Sequence, residues 1–247
     1  MEPLSEERIL GVPVDAVDRK AALAHLVALV EQGVPAVAVA VNPEKVLAAR
    51  ENPWLLRFLE GAALRIPDGI GIVWASKRQG GTIRSRLTGM DLFLSLIETA
   101  AGRGWPVFLL GARPGVAEAA GRALCAAHPA LRLAGVRDGY FPLDEGGQVA
   151  AQVRAAGATI LFVAMGSPRQ EHWLFEHFEE TGAVLAMGVG GGFDVVSGRV
   201  RRAPTWVQAL GLEWLFRFLL EPRARWRRMG KLGRFVWEMS RRTSQHA

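Results

Sequence analysis

The chain is poor in the groups that most often announce a chemistry. It carries 1 Cys, Cys125, and 1 Tyr in 247 residues. A single thiol excludes an internal disulfide and fits a reducing compartment. There is no cysteine cluster and no His-Glu-x-x-His, and His172 and His177 lie five apart, so they do not share a helix face as zinc ligands do. No Asp-x-Asp occurs. The carboxylate pair that commonly holds Mg²⁺ or Mn²⁺ on a nucleotide diphosphate is therefore missing, and no metal is expected. No stretch reaches the roughly 18 to 20 apolar residues of a bilayer span, because Glu213 and Arg217 interrupt the best candidate. The first residues lack the basic and apolar segments of a secretory signal, which makes a cytoplasmic protein the expectation.

What is present is half apolar, enough for one substantial core. The charge is unevenly placed. Of the 30 Lys+Arg and 24 Asp+Glu, residues 199–247 hold 12 of the former and 3 of the latter, so the rest of the chain is slightly acidic. This last fifth opens on Trp206, Val207, Leu210, Leu212, Trp214, Leu215, Phe216, Phe218, Leu219 and Leu220, then runs into Arg223, Arg225, Arg227, Arg228, Lys231 and Arg234. A nucleic-acid patch or a solvated basic helix would give the same charge. Tryptophan and phenylalanine beside the arginines favour an interface at headgroup depth. The pattern suggests a soluble catalyst acting on something anionic at a membrane surface, with Arg225, Arg228, Lys231 and Arg234 as its candidate contacts to anionic lipid.

Short Val, Leu and Ile runs at 36–41, 106–110, 131–136, 159–165 and 183–187 read as strands buried on both faces. Helical patterns fill 18–31, 43–50, 89–102, 115–127, 146–156 and 168–181. The alternation predicts an α/β protein: a mainly parallel sheet covered by helices on both faces. The one compositional boundary lies near Ser197 to Pro204, giving an α/β body over 1–198 and a basic, aromatic, helical appendage over 199–247.

Ligands of such a sheet bind outside the carboxyl ends of the strands. In Val41-Asn42-Pro43-Glu44-Lys45, Asn42 suits an N-cap with Pro43 as the first helical residue, and it equally suits a ligand contact. In Ile66-Pro67-Asp68-Gly69-Ile70, Asp68 is either a turn residue or a general base held among apolar neighbours at a strand end. Gly111-Ala112-Arg113-Pro114-Gly115 opens a helix and suits a phosphate. Ser167-Pro168-Arg169-Gln170 fits a capping box, unless Gln170 turns inward. The glycine run Gly188 to Gly192 comes too late in the chain for a dinucleotide fingerprint and is better read as close packing against a ligand or a helix.

Together with Arg86-Leu87-Thr88-Gly89-Met90-Asp91, Asp138-Gly139-Tyr140-Phe141 and Arg201-Arg202-Ala203-Pro204 through Leu212-Glu213-Trp214, these segments resemble, in order, the WecG/TagA/CpsF family of glycosyltransferases. The resemblance implies a Rossmann-like fold and a β-N-acetylmannosaminyltransferase or close relative. Such an enzyme inverts a sugar from a UDP donor onto a polyprenyl-diphosphate-linked N-acetylglucosamine, with no cofactor, at the cytoplasmic membrane face. It implies Asp68 as the base, and Asn42, Arg86, Thr88, Gln170, Arg217, Arg223 and Arg227 as substrate contacts, the last three meeting the diphosphate. The chain departs from the family pattern at Ala40, where many members carry Thr, and at Ala224, where relatives often carry a second consecutive Arg. The oligomeric state is left open, a homo-oligomer included. Inversion needs one base and a stabilised leaving group, so one carboxylate and several cations suffice. Of two other readings, a nicotinamide-dependent oxidoreductase lacks the glycine fingerprint at the first strand, and a basic nucleic-acid-binding protein would show salt-sensitive binding to DNA without any preference for anionic liposomes.

Overall fold

The computed structural model of the chain describes residues 4–220 and 222–243. A hairpin, β1 (Glu6–Ile9) and β2 (Val12–Asp15), precedes α1 (Arg19–Glu31). Then follow β3 (Ala36–Val41), α2 (Pro43–Glu51), α3 (Pro53–Gly61), β4 (Leu64–Pro67), α4 (Ile70–Arg78) and α5 (Gly89–Arg103). The second half runs β5 (Val107–Gly111), α6 (Val116–Ala127), β6 (Leu133–Arg137), α7 (Gly146–Ala155), β7 (Ile160–Ala164), α8 (Arg169–Thr181) and β8 (Leu185–Gly188). From there only helices follow among the described residues: α9 (Gly192–Val196), α10 (Thr205–Ala209), α11 (Glu213–Leu220) and α12 (Pro222–Thr243).

The main sheet has six strands in the order β4-β3-β8-β7-β5-β6, and every pair in it is parallel. Its two faces are filled by the period-two alternation of the strands. Phe108, Leu110, Leu161 and Val163 join one core with residues of α2, α3, α7 and α8. Val107, Leu109, Ile160 and Phe162 join the other with residues of α1, α5, α6 and α9. Burial on both faces is why these strands read in the sequence as unbroken apolar runs.

The hairpin and helices α3 and α4 were not anticipated by the apolar runs, and the reason is physical. The β1 strand is charged because its acids meet polar partners: Glu6 pairs with Arg8 and Arg65, and Glu7 holds the end of α4 and the loop after it. Glu7 accepts from the hydroxyls of Ser76 and Thr82 and from the amides of Thr82 and Ile83. Asp15, fully buried at the end of β2, is held by the backbone and guanidinium of Arg65.

The appendage does not stand off. Phe235 and Met239 of α12 are buried in the core that contains α2, Phe235 lies against Trp74 with ring centroids 6.5 Å apart, and Arg234 pairs with Glu51 and Glu238. Among the described residues no helix is long and apolar enough to cross a membrane.

Candidate active site

Six parallel strands put six carboxyl ends along one edge. The chain turns from β5 outward to β6 but from β7 inward to β8, so the loops after β5 and β7 diverge and open a crevice between them. A cavity of about 700 Å³ lies there, lined by residues that follow four strands, including Arg113, Tyr140, Arg169, Gly190 and Asp194, and by Arg199 and Arg201 from the start of the appendage.

Its floor is pinned by backbone. Ala112 takes a left-handed φ of 58°, uncommon for a residue with a side chain. Its N–H donates to Ala164 O at 2.7 Å and its carbonyl accepts from Gly139 N–H at 2.9 Å, which ties the ends of β7 and β6 to β5. Gly111, at φ 130°, must be glycine, because a Cβ there would meet Ala164 O at 2.6 Å. Arg169 is likewise held: its guanidinium donates to Phe141 O at 3.0 Å and lies 5.5 Å from the Phe141 ring centre. Among the described residues, four guanidinium groups line the cavity against the single carboxylate of Asp194, which Arg199 approaches at 3.6 Å. Such a surface recognises an anion. Tyr140, 65% exposed at its rim, offers a flat ring.

Asn42 and Asp68 sit further along the same edge. They follow Val41 and Pro67, which are paired in register, and Asp68 N–H extends that ladder to Val41 O at 2.8 Å. Asn42 is the N-cap of α2, its side-chain oxygen accepting from Lys45 N–H at 2.9 Å, with Pro43 beginning the helix. Gly69, at φ 90°, lets the chain turn from Asp68 into α4. The two helix starts are pressed together, since a Cβ on Gly71 would meet Pro43 Cγ at 2.6 Å. Between β4 and the glycine loop after β8 stand two strand spacings, about 10 Å.

Gln170 does not close a capping box. Pro168, not Ser167, stands at the start of α8, and no side chain caps it. The Gln170 side chain, 3% exposed, is turned inward: its amide donates to Glu171 Oε1 at 2.9 Å and its oxygen accepts from Gly190 N–H at 3.0 Å. Thr88 caps α5, bonding Asp91 through both its hydroxyl and the Asp91 backbone. Arg86 reaches the appendage, pairing with Glu213 at 2.8 Å and donating to Gln208 O. Arg202 closes the same cluster, pairing with Asp91 and standing 3.9 Å from Glu213. Burial pushes the Asp91 carboxyl up, but the Thr88 hydroxyl, Arg202 and Arg19 outweigh it and hold the group below its ordinary value.

Lys231 is exposed on α12. The side chains of Arg217, Arg223, Arg225, Arg227 and Arg228 lie outside the described residues. Of the cavity residues, Arg113 stands in the turn read from sequence as suiting a phosphate and Gly190 in the glycine run read as close packing, whereas Tyr140, Arg169, Asp194, Arg199 and Arg201 were not among the site residues expected from sequence. Most lie a few residues beyond a strand end, and that position was the signal that could have found them.

The sequence model of the Glycosyl transferase WecG/TagA/CpsF family matches residues 7–247. Two curated relatives are each named N-acetylglucosaminyldiphosphoundecaprenol N-acetyl-beta-D-mannosaminyltransferase. The one from Bacillus subtilis is 34% identical over 207 residues, covering 84% of this chain and 80% of its own. The one from Bacillus spizizenii is 37% identical over 206 residues, covering 83% and 79%. With a matching family model over nearly its whole length and relatives at this identity, the chain belongs to the WecG/TagA/CpsF family of glycosyltransferases.

Proposed function

We propose that this glycosyltransferase moves N-acetylmannosamine, or a related sugar, from a UDP donor to a polyprenyl-diphosphate-linked N-acetylglucosamine, with inversion and without a metal ion. The observation that carries the donor half is the cavity at the β5/β7 crevice, where Arg113, Arg169, Arg199 and Arg201 surround a space sized for a nucleotide. Tyr140 supplies a stacking face for the base and Asp194 a carboxylate for ribose hydroxyls. The names of the two relatives support the acceptor half.

In this reading Asp68 takes the proton of the acceptor hydroxyl as its oxygen attacks the anomeric carbon. The new glycosidic C–O bond forms opposite the breaking C–O bond to the diphosphate, and UDP departs with the electron pair. The guanidinium groups meet the charge that develops on the leaving diphosphate, the part a divalent cation plays in other transferases. The cap on α2 uses only the oxygen of Asn42, which leaves its amide nitrogen for a sugar. The family resemblance adds Arg217, Arg223 and Arg227 of the appendage as further cations for that diphosphate.

The acceptor is a membrane lipid, and the exposed Trp206, Leu210, Trp214, Leu219 and Trp237 give the appendage an apolar, aromatic surface among cations. That composition supports peripheral attachment to the anionic inner face of the cell membrane, with Arg225, Arg228, Lys231 and Arg234 as its cations. The deciding experiment is a panel of nucleotide sugars with a short-chain lipid-diphosphate-N-acetylglucosamine acceptor, read by product mass. A product one N-acetylhexosamine heavier, formed from the UDP donor alone, is expected. Turnover with no UDP-sugar in the panel sinks the reading.

A further inference from the structure

Lys45, in the first turn of α2, and Glu171, in the first turn of α8, form a buried ion pair beneath the sheet edge. Nζ lies 2.7 Å from Oε1, and the side chains are 5% and 2% exposed. Stability is a poor reason for such a pair, because taking two charges out of water costs several kcal/mol per ion and an apolar pair of similar volume often does as well.

The next contacts say what the pair does. The same Glu171 oxygen accepts from the Gln170 amide, whose oxygen in turn accepts from Gly190 N–H. Gln170 lies so close over Gly188 that a Cβ there would collide with its amide nitrogen. Gly190 and Gly191 line the cavity. The two ends of a glutamine amide have nearly the same shape and opposite hydrogen-bonding sense. An ionised carboxylate only accepts, so it selects the nitrogen end and sends the oxygen toward Gly190. Burial pushes the Glu171 carboxyl up, but the charge of Lys45 and hydrogen bonds from Lys45, Gln170 and Ser167 more than offset it, and the group stays ionised. Lys45 also donates its backbone N–H to Asn42, so one residue joins the acceptor-side cap to the donor-side loop.

We propose that Lys45 and Glu171 are positioning residues for the donor subsite: they lock the Gln170 amide in one orientation and thereby set the Gly190–Gly191 backbone against the donor. The proposal rests on the donor reading above. It makes Gln170 act through Gly190 rather than by touching the sugar itself.

The test compares the full-length parent with Lys45→Met/Glu171→Leu, which removes both charges, with Lys45→Met/Glu171→Gln, which restores an acceptor for the Gln170 amide, and with Gln170→Leu, which cuts the last link while leaving the ion pair. Three quantities are read: hydrogen exchange at Gly190 without ligand, UDP affinity by calorimetry, and donor and acceptor KM. The expected result for the Leu double variant is faster exchange at Gly190 and UDP Kd and donor KM raised about five- to ten-fold, the equilibrium effect of one hydrogen bond. Acceptor KM should stay put, and the Gln double variant should recover much of the loss. A folded Leu double variant with Gly190 protection and UDP affinity like the parent's overturns the proposal. Should that variant not fold, unchanged protection and affinity in Gln170→Leu overturn it equally. A parent that binds no UDP defeats the donor reading instead, while Gly190 exchange still decides the relay.

Discussion

Arg86, on the loop between α4 and α5, holds Glu213 at the start of α11 at 2.8 Å, with both side chains less than a fifth exposed. The same guanidinium donates to Gln208 O, and Glu213 is shared with Arg202. A half-buried, charge-assisted cluster of this kind is worth more than a surface pair. Glu213→Ala should lower the melting temperature by about 2 to 6 °C, as expected for a loss of roughly 1 to 2 kcal/mol in a chain of this size, and should make the chain after Pro204 more sensitive to limited proteolysis. An unchanged digestion pattern would show that the clasp does not hold the appendage.

Asp68→Asn should reduce kcat by about 10² to 10⁴ while UDP affinity and melting temperature stay near the parent values. Turnover within a few fold of the parent removes the base assignment. A loss of folding of the same size would identify Asp68 as a turn residue.

If arginines stand in for a metal, EDTA should leave turnover unchanged and added Mg²⁺ or Mn²⁺ should not raise it several fold. Arg169→Ala should lower kcat by about ten-fold or more even with divalent ions present. Strict divalent dependence, or full activity in the arginine variant, contradicts this account of the leaving group.

Glu171, Asp91 and Glu7 are all held below their ordinary values. Burial opposes this in each case, and it is outweighed by Lys45 at Glu171, by Thr88 and Arg202 at Asp91, and by Thr82 and Ser76 at Glu7. A depressed carboxylate contributes stability that is fully present above its unfolded pKa, about 4, and is lost as pH falls through its folded value. Melting temperature should therefore be flat in these groups from neutrality down to about pH 5 and drop below it. The Lys45→Met/Glu171→Leu variant should show a shallower acid drop, measured by calorimetry. An equal drop would place the acid sensitivity elsewhere.

Changing Arg225, Arg228, Lys231 and Arg234 together to Gln should abolish binding to anionic liposomes yet spare turnover on a short soluble acceptor. Each such cation contributes roughly 1 kcal/mol at a membrane surface. Single Ala changes at Arg217, Arg223 or Arg227 should instead cut turnover on the soluble acceptor. Arg234 adds a second readout, because its ties to Glu51 and Glu238 mean that its loss should also loosen α12 from α2.

The parallel sheet was legible because its central strands are buried on both faces, so that the runs at 36–41 and 159–165 needed no partner to be recognised. The cap at Asn42 was equally plain, since Asn followed by Pro uses only local geometry. The inward turn of Gln170 was not, because Ser167 and Gln170 fit a local cap just as well. What decides between the two is Glu171 together with Gly190, twenty residues on. The strand β1 escaped for a related reason: Glu7 is polar toward a loop some 75 residues away, a pairing no short window contains. Arg169, Arg199 and Arg201 were hidden in the same manner, each ordinary alone and significant only when strand order brings four loops to one crevice.

The seat of α12 on α2 has a kinetic side. Arg234 meets Glu51 across 183 positions of sequence, and closing so long a circuit costs more chain entropy than any hairpin or βαβ step. Contacts of this separation are rewarded only after the intervening sheet exists, so the strap should form late in refolding. Weakening it by Phe235→Ala should then speed unfolding while leaving the refolding rate nearly unchanged.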